Sequence, residues 1–531
     1  MERPVPGIGG RSAVNLFVEQ KCGTQSPFAL RQRSALASAD TVWIGAILVL
    51  ACVLRAIHLD AGLWYDEIDT LVHEVRLPFG YLTTHYPSLN HHVLFSLEAR
   101  ICVLLFGESA WAVRLPALLF GVASIWALWL LAKEIASPWV ARFSALLLAV
   151  SYHHIWFSQN ARGYTGILFW CLIATYLFIR GWKESSWRLW VLYGVVMALA
   201  LYTHLSAIFF FAAQGIVYIG LVAHYYLFRR QGDDASMGLS GALPLLGFAA
   251  GGLGAVLLHA PLIPDMIATF SEVAGPQPEA VTAAAAHWKS PLWMILEVGR
   301  SLSAQGPVLA VAIPAVLIVT LAGILRMGKT APLVPIMALV HIPLTLALLV
   351  ALSFRIWPRY FFVEIAFICL FLVEGAFSLG EIAALLLQKL RIRPPRPCTL
   401  GIAFALLGVA ASLAILPRNY LYPKQDFVGA RNFIEANRSP GSVVLTLGLA
   451  TMPYAEYYAP AWKAVETIGE LGAVQQSNRD VWLVYSFPAV TERRYKDLTD
   501  YLASHFQARR FPGTLGDGDV LVFRSKPHGT L

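Results

Sequence analysis

Charge is the first thing this chain lacks. Only 14% of its 531 residues are Asp, Glu, Lys or Arg, whereas soluble globular domains carry about a quarter. Cysteine is scarce as well. Cys22, Cys52, Cys102, Cys171, Cys369 and Cys398 form no CxxC pair, and none lies beyond Leu416. That pattern argues against a disulfide framework or a thiolate metal site and leaves them as small buried hydrophobes. No repeat at fixed spacing is evident, and no signal-peptide core precedes Thr41. The first forty residues are polar, with Arg3, Arg11, Lys21, Arg31 and Arg33, and are expected to form a disordered cytoplasmic arm. The net charge of +8 is dispersed rather than gathered into a patch, so nucleic acid is not an expected partner.

Apolar sequence is abundant: 57% of residues are hydrophobic and the mean hydropathy is +0.61. Stretches long enough to cross about 30 Å of hydrocarbon as helix lie near 41–59, 114–132, 139–157, 163–181, 189–203, 205–228, 241–260, 306–326, 332–353, 358–378 and 398–416. A twelfth, 90–106, carries Glu98 and Arg100 near its middle, and a charge at a span centre costs about 2.5–3.5 kcal/mol. Its apolar residues Val93, Leu94, Leu97, Ile101 and Leu104 recur at helical spacing, which fits an interfacial helix. Eleven spans then give a clean charge asymmetry: eighteen of the forty Lys and Arg residues fall on the cytoplasmic side, as the positive-inside rule requires. The expected architecture is an α-helical polytopic membrane protein with the bilayer as partner and the N-terminus inside. Outer loops at 60–113 and 261–305 carry interfacial helices, and the tail 417–531 is a small α/β domain on the outer side. In that tail, helices are expected at 425–437 and 491–507 and strands at 442–447, 481–486 and 519–524.

The chemistry-bearing residues collect on one face. The first outer loop opens with Asp66, Glu67, Asp69 and Glu74 just after Trp64 and Tyr65. Acids there suit a helix N-terminus, but a carboxylate at the membrane surface can also deprotonate an attacking hydroxyl or amine. His85, Tyr86, Asn90, His91 and His92 follow. Asp66, His85 and His91 are the candidates for a divalent metal, although their spacing matches no zinc pattern. Arg162 stands in SQNARGYT, and Arg355, Arg359 and Tyr360 stand in SFRIWPRYFF. Arginines are disfavoured in short outer turns, and guanidinium matches phosphate bidentately, so a lipid phosphate would account for them. His204 in YTHLSA can line the same cleft or cap its own turn.

Taken in order, LWYDE, LNHHVLF, GESAWAVRLPALLFG, SQNARGYT, YTHLSA and PRYFF resemble glycosyltransferase family 39 and its relatives. These are the protein O-mannosyltransferases and the lipid A aminoarabinose transferase, which share the GT-C membrane fold. The resemblance covers roughly 41–380, and KQDFVGARNFI at the start of the tail is similar to many bacterial members. It implies a catalytic membrane domain over 41–416 and inverting transfer of a sugar from a polyprenyl-phosphate donor to a glycan, lipid or protein acceptor, in a bacterial inner membrane. It assigns Asp66, with Glu67 beside it, as the catalytic acid pair, and places Arg162 and Tyr164 near the donor. Asn90 and His91 fall where the aminoarabinose enzymes have a glutamate and a lysine that contact cation and phosphate. Arg359 and Tyr360 match the start of a late span that contacts donor phosphate, with His91 or Lys289 as further phosphate contacts. A transporter or flippase of lipid-linked sugars is the alternative, but the polar residues cluster at one face and the spans are mostly unbroken, unlike many transporters.

Overall fold

The computed structural model describes residues 27–227, 238–274, 290–293, 296, 307–477 and 480–525. Lys289, expected among the phosphate contacts, lies outside them, as do residues 1–26 of the expected arm. Each of the eleven apolar stretches coincides with helix. Eight helices among the described residues are long and apolar enough to cross a membrane, and the chain is an integral membrane protein. A further helix, α1 (Pro27–Ala56), precedes these eight and begins well inside the segment expected to be disordered to residue 40.

The outer loop that follows carries α2 (Tyr65–Thr70) with a π-helical turn to Val75, then α3 (Phe79–Thr84) and α4 (Val93–Phe106). The fourteen residues of α4 span about 21 Å, too short to cross. The helix turns its buried face (Val93, Phe95, Ser96, Ala99) to the protein and leaves Ile101, Leu104 and Leu105 exposed, as an interfacial helix does. Gly107, at φ +83°, ends it. Ser109 then caps α5 (Ala110–Ile135) by accepting the Ala112 N–H.

One expected span is interrupted. Residues 139–157 form α6 (Pro138–Ala149) and α7 (Tyr152–Ser158), broken at 150–151. The break brings His154 back against Arg55 near the outer end of α1, with Arg55 Nη2 2.5 Å from His154 Nδ1. Arg55 is fully buried and bonds also to Ser158 Oγ and to the Ala51 and Ala149 carbonyls. The bundle continues with α8 (Tyr164–Glu184), α9 (Trp187–Thr203) and α10 (Ala207–Leu227). Farther on, the helices Pro307–Thr330 and Glu364–Lys389 cross at glycines. A Cβ on Gly323 would lie 1.9 Å from the Phe371 carbonyl oxygen, and one on Gly375 1.9 Å from that of Val319. Small residues permit this approach in the absence of a hydrophobic driving force between helices.

In the later outer loop, helix Ile263–Ala274 holds the histidine-bearing loop through Tyr86. Its Asp265 accepts the Tyr86 N–H (3.3 Å), and Thr269 donates to the Tyr86 carbonyl (2.7 Å).

The tail is the expected α/β unit: β1 (Val443–Leu447), β2 (Lys463–Ala464), β3 (Val481–Ser486), β4 (Phe506–Phe511) and β5 (Val520–Ser525), in the order β2-β1-β3-β5-β4. β1 is parallel to β2 and β3, and β5 antiparallel to β3 and β4. Two strands escape the sequence pattern. β2 has only two residues. β4 reads FQARRF, an edge strand whose middle is polar and exposed, a common way to blunt an edge. The expected helix 491–507 is instead two, Pro488–Arg494 and Lys496–His505.

The tail does not stand apart. Leu63, Ile68, Leu71, Val75 and Phe95 of the outer loop share one buried cluster with Phe427, Tyr454 and Trp482 of the tail. Tyr454 and Tyr458 spend their hydroxyls on the Phe427 and Leu63 carbonyls.

Candidate active site

Two short segments assemble the candidate site. Trp64 is extended (φ −100°, ψ 176°) and starts α2; residues 158–164 link α7 to α8. Consecutive residues of each tie down different elements. The Trp64 indole donates to Asn160 Oδ1 (3.0 Å), and the Tyr65 N–H donates to Gln425 Oε1 (3.1 Å). Gln159 donates to the Arg55 and Ile57 carbonyls, and Ala161 N–H to Glu67 Oε1 (2.7 Å). Gly163 N–H reaches His92 Nδ1 (2.8 Å). A side chain at Gly163 would meet Thr203 Cγ2 at 2.9 Å and His92 Nδ1 at 3.1 Å, so close packing requires glycine there.

The two acids expected as a pair separate. Asp66 pairs with Arg359, whose Nη1 donates to its Oδ2 (3.1 Å). Glu67 points the other way and is fully buried. Arg114 grips it through Nε (2.7 Å) and Nη2 (2.6 Å), and the Ala161 and Trp64 N–H groups complete its shell. Burial would raise the Glu67 carboxyl, but Arg114 and these hydrogen bonds win and hold it below its ordinary range. Its oxygens being so engaged, Glu67 is better suited to fixing the loop than to accepting a proton, and the expectation of a catalytic pair narrows to Asp66.

Arg162 is 1% exposed. Nη1 donates to Thr70 Oγ1 (3.0 Å), Nη2 lies 3.1 Å from His92 Nε2, and Nε has no partner. Among the described residues no carboxylate comes within ion-pair distance of Arg162. Tyr164 packs its ring against His92 (5.2 Å), His204 (5.5 Å) and Phe157 (5.1 Å). His204 caps its own turn by accepting the Ser206 N–H (3.0 Å) and also faces His92 at 4.3 Å. Burial, followed by Arg162 and Arg359, pushes His204 down to about 3. Tyr360 lies in the single turn Pro358–Phe361, and burial raises its hydroxyl.

Beside Arg162 is a second buried group. Glu74 is 2% exposed, accepts from Ser96 Oγ (2.5 Å) and stands 4.0 Å from His91 Nε2. Burial pushes Glu74 up to about 8 against the opposing pull of Arg162 and Ser96. Burial and then Arg162 push His91 down to about 4, and both its ring nitrogens are unpartnered. Asn90 precedes it in a turn where its N–H bonds to Ser88 Oγ.

The three metal candidates lie in different surroundings. His85 is exposed, stacked on Tyr81 at 4.2 Å and bonded to Thr84, while His91 is buried beside Glu74 and Asp66 is paired with Arg359. Among the described residues no three His, Cys, Asp or Glu side chains converge on a point that could hold a metal ion. The trio does not fit such an ion.

Several residues that matter here went unassigned from sequence. His92 contacts Arg162 through its Nε2 and accepts the Gly163 N–H through its Nδ1. Arg114 and Gln425 carried no local signal: the first sits in an apolar helix and the second lies 360 residues from its partner.

Residues 90–232 match the family described as dolichyl-phosphate-mannose-protein mannosyltransferase, which bears out the resemblance read from the motifs. No curated protein matches the chain. Among solved structures, the apo oligosaccharyltransferase of Archaeoglobus fulgidus is similar at 13% identity with a TM-score of 0.50, covering 88% of this chain and 73% of that one. This likeness shows the fold, and the chain has the expected GT-C architecture. ArnT from Cupriavidus metallidurans bound to undecaprenyl phosphate is similar at 14% identity, TM-score 0.48, covering 91% and 98%. The S. cerevisiae protein O-mannosyltransferase Pmt1–Pmt2 complex bound to the sugar donor is similar at 15% identity, TM-score 0.35, covering 44% and 34%. The flippase alternative finds no support in these likenesses.

Proposed function

We propose, from a membrane chain with this fold and family likeness, that it is an inverting glycosyltransferase. It moves a sugar from a polyprenyl-phosphate donor to a hydroxyl- or amine-bearing glycan, lipid or protein on the outer face of a bacterial inner membrane. The observation that carries this reading is Arg162: a buried guanidinium with Nε unpartnered and, among the described residues, no carboxylate within ion-pair distance. A buried cation without a counter-charge is costly, and a phosphate would supply both the charge and the acceptor.

The chemistry follows from that arrangement. The donor phosphate sits against Arg162 and draws Arg359 from Asp66, with His91, Tyr360 and Tyr164 lining its side. Charge accumulates on the phosphate as the bond from its oxygen to the anomeric carbon breaks, so fixed cations favour the transition state over the ground state. The acceptor oxygen or nitrogen attacks the opposite face, and its proton passes to Asp66. Glu67, locked by Arg114, holds the loop that aims Asp66.

Purified protein given a synthetic polyprenyl-phosphate sugar and a mixed pool of acceptors should release free polyprenyl phosphate. Asp66→Asn should insert and melt like the parent but release none. Normal release by that variant removes Asp66 from the role, and no release by the parent with any donor sugar sinks the reading.

A further inference from the structure

We infer that the C-terminal segment completes the catalytic loop, with Gln425 as a positioning residue that fixes the backbone one residue before Asp66. The inference rests on the proposed role of Asp66. Tyr65 is the first residue of α2, and an N–H at that position has no partner within its own helix. Gln425 Oε1 supplies the acceptor at 3.1 Å from a side chain only 2% exposed. The opposite end of the same amide, Nε2, is buried and unpartnered. A leucine would fill the space without stranding a buried donor, which is unfavourable. Retaining an amide is understandable if its oxygen is what the site needs.

The neighbours of Gln425 make the same connection. Lys424 donates to the Gln159 carbonyl and lies over the Trp156 ring. Asp426 caps the first tail helix by accepting the Gly429 N–H (2.8 Å). Three consecutive residues thus join the Arg162-bearing segment, the Asp66-bearing loop and the tail. From the residue after β3, Phe487 meets the Tyr65 ring edge-on at 5.7 Å. It does so from a left-handed backbone, φ +53°, a conformation that bulky residues rarely hold unless the surroundings impose it. Tyr65 is therefore held by its N–H on one side and its ring on the other, both from residues at least 360 positions away.

A purely structural glutamine and a positioning one predict different kinetics. Gln425→Leu removes the acceptor, releases the start of α2 and lets Asp66 drift. It should lower kcat by up to about 100-fold, the scale of an ångström-level misplacement, with the donor KM unchanged because the arginines are untouched. Gln425→Glu keeps an oxygen for the Tyr65 N–H but adds a carboxylate near the base. The acidic limb of its pH–rate profile should move to higher pH, since neighbouring carboxylates favour retention of a proton.

The test uses the full-length protein in lipid nanodiscs with a synthetic polyprenyl-phosphate sugar, and compares both variants with Asp66→Asn. If Asp66→Asn is inactive while both Gln425 variants turn over with parental kcat and pH profile, the inference is overturned and the proposed function stands. If Asp66→Asn is active, it is the assignment of the base that falls. Should Gln425→Leu not fold, the profile of Gln425→Glu decides alone, and an unshifted limb is the overturning result.

Discussion

Replacing Arg114 with methionine separates the structural acid of the WYDE segment from the chemical one. Arg114 makes two hydrogen bonds to Glu67, at 2.7 and 2.6 Å, and three more to the carbonyls of Leu59, Ala61 and Gly62. Both members of the ion pair are at most 2% exposed, so solvent cannot replace the lost partner. Glu67 would keep only the Ala161 and Trp64 N–H groups. Removing one partner of such a pair leaves a buried charge uncompensated and costs about 3–5 kcal/mol. The folded protein depresses Glu67, so the stability gained from its ionisation is present above the ordinary carboxylate range and is lost as pH falls below it. The Arg114→Met penalty should therefore be largest near neutrality and shrink in acid, where the stranded Glu67 can take a proton. The double variant Glu67→Gln/Arg114→Met no longer buries the Glu67 carboxylate without Arg114 and should recover part of the loss. Thermal melting in detergent from pH 4 to 8 reads all three effects. An Arg114→Met protein that melts with the parent across that range, or a double variant no more stable than the single, refutes the structural role of Glu67.

Two more outcomes follow from the groups around Arg162. Arg162→Met should raise the donor KM and lower kcat, because the cation contacts the phosphate both before and during departure; titration of donor in the release assay measures both, and unchanged values would detach Arg162 from the phosphate. Glu74 is raised to about 8, so the folded state holds a proton that the unfolded state loses near the ordinary carboxylate range. Stability should then fall as pH rises through that range toward 8. Glu74→Gln keeps the Ser96 contact without the titration, so its stability advantage should grow from pH 5 to 8 and level off above; parallel melting curves for the two proteins would contradict the buried, protonated carboxyl.

The sequence by itself determined what depends on local pattern and on the bilayer. Long apolar stretches must form helices because no other backbone state satisfies its own polar groups in hydrocarbon, and all eleven stretches do. The mid-run charges of 90–106 made α4 interfacial, and scarcity of outer arginines singled out Arg162 and Arg359. What it could not determine were facts set by approach in three dimensions. Asp66 and Glu67 are adjacent and chemically alike, yet one pairs with Arg359 and the other with Arg114 in α5, because successive helical residues point about 100° apart. The break in 139–157 sets His154 against Arg55 across the bundle, a contact invisible in an apolar stretch. The polar edge strand β4 has no alternation to reveal it. The grip of Gln425 on Tyr65 exists only because a tail more than three hundred residues later shares a core with the first outer loop. Hydrogen bonds of that span are decided by packing, since the cost of leaving a buried N–H unpaired is met by whichever acceptor the fold brings near.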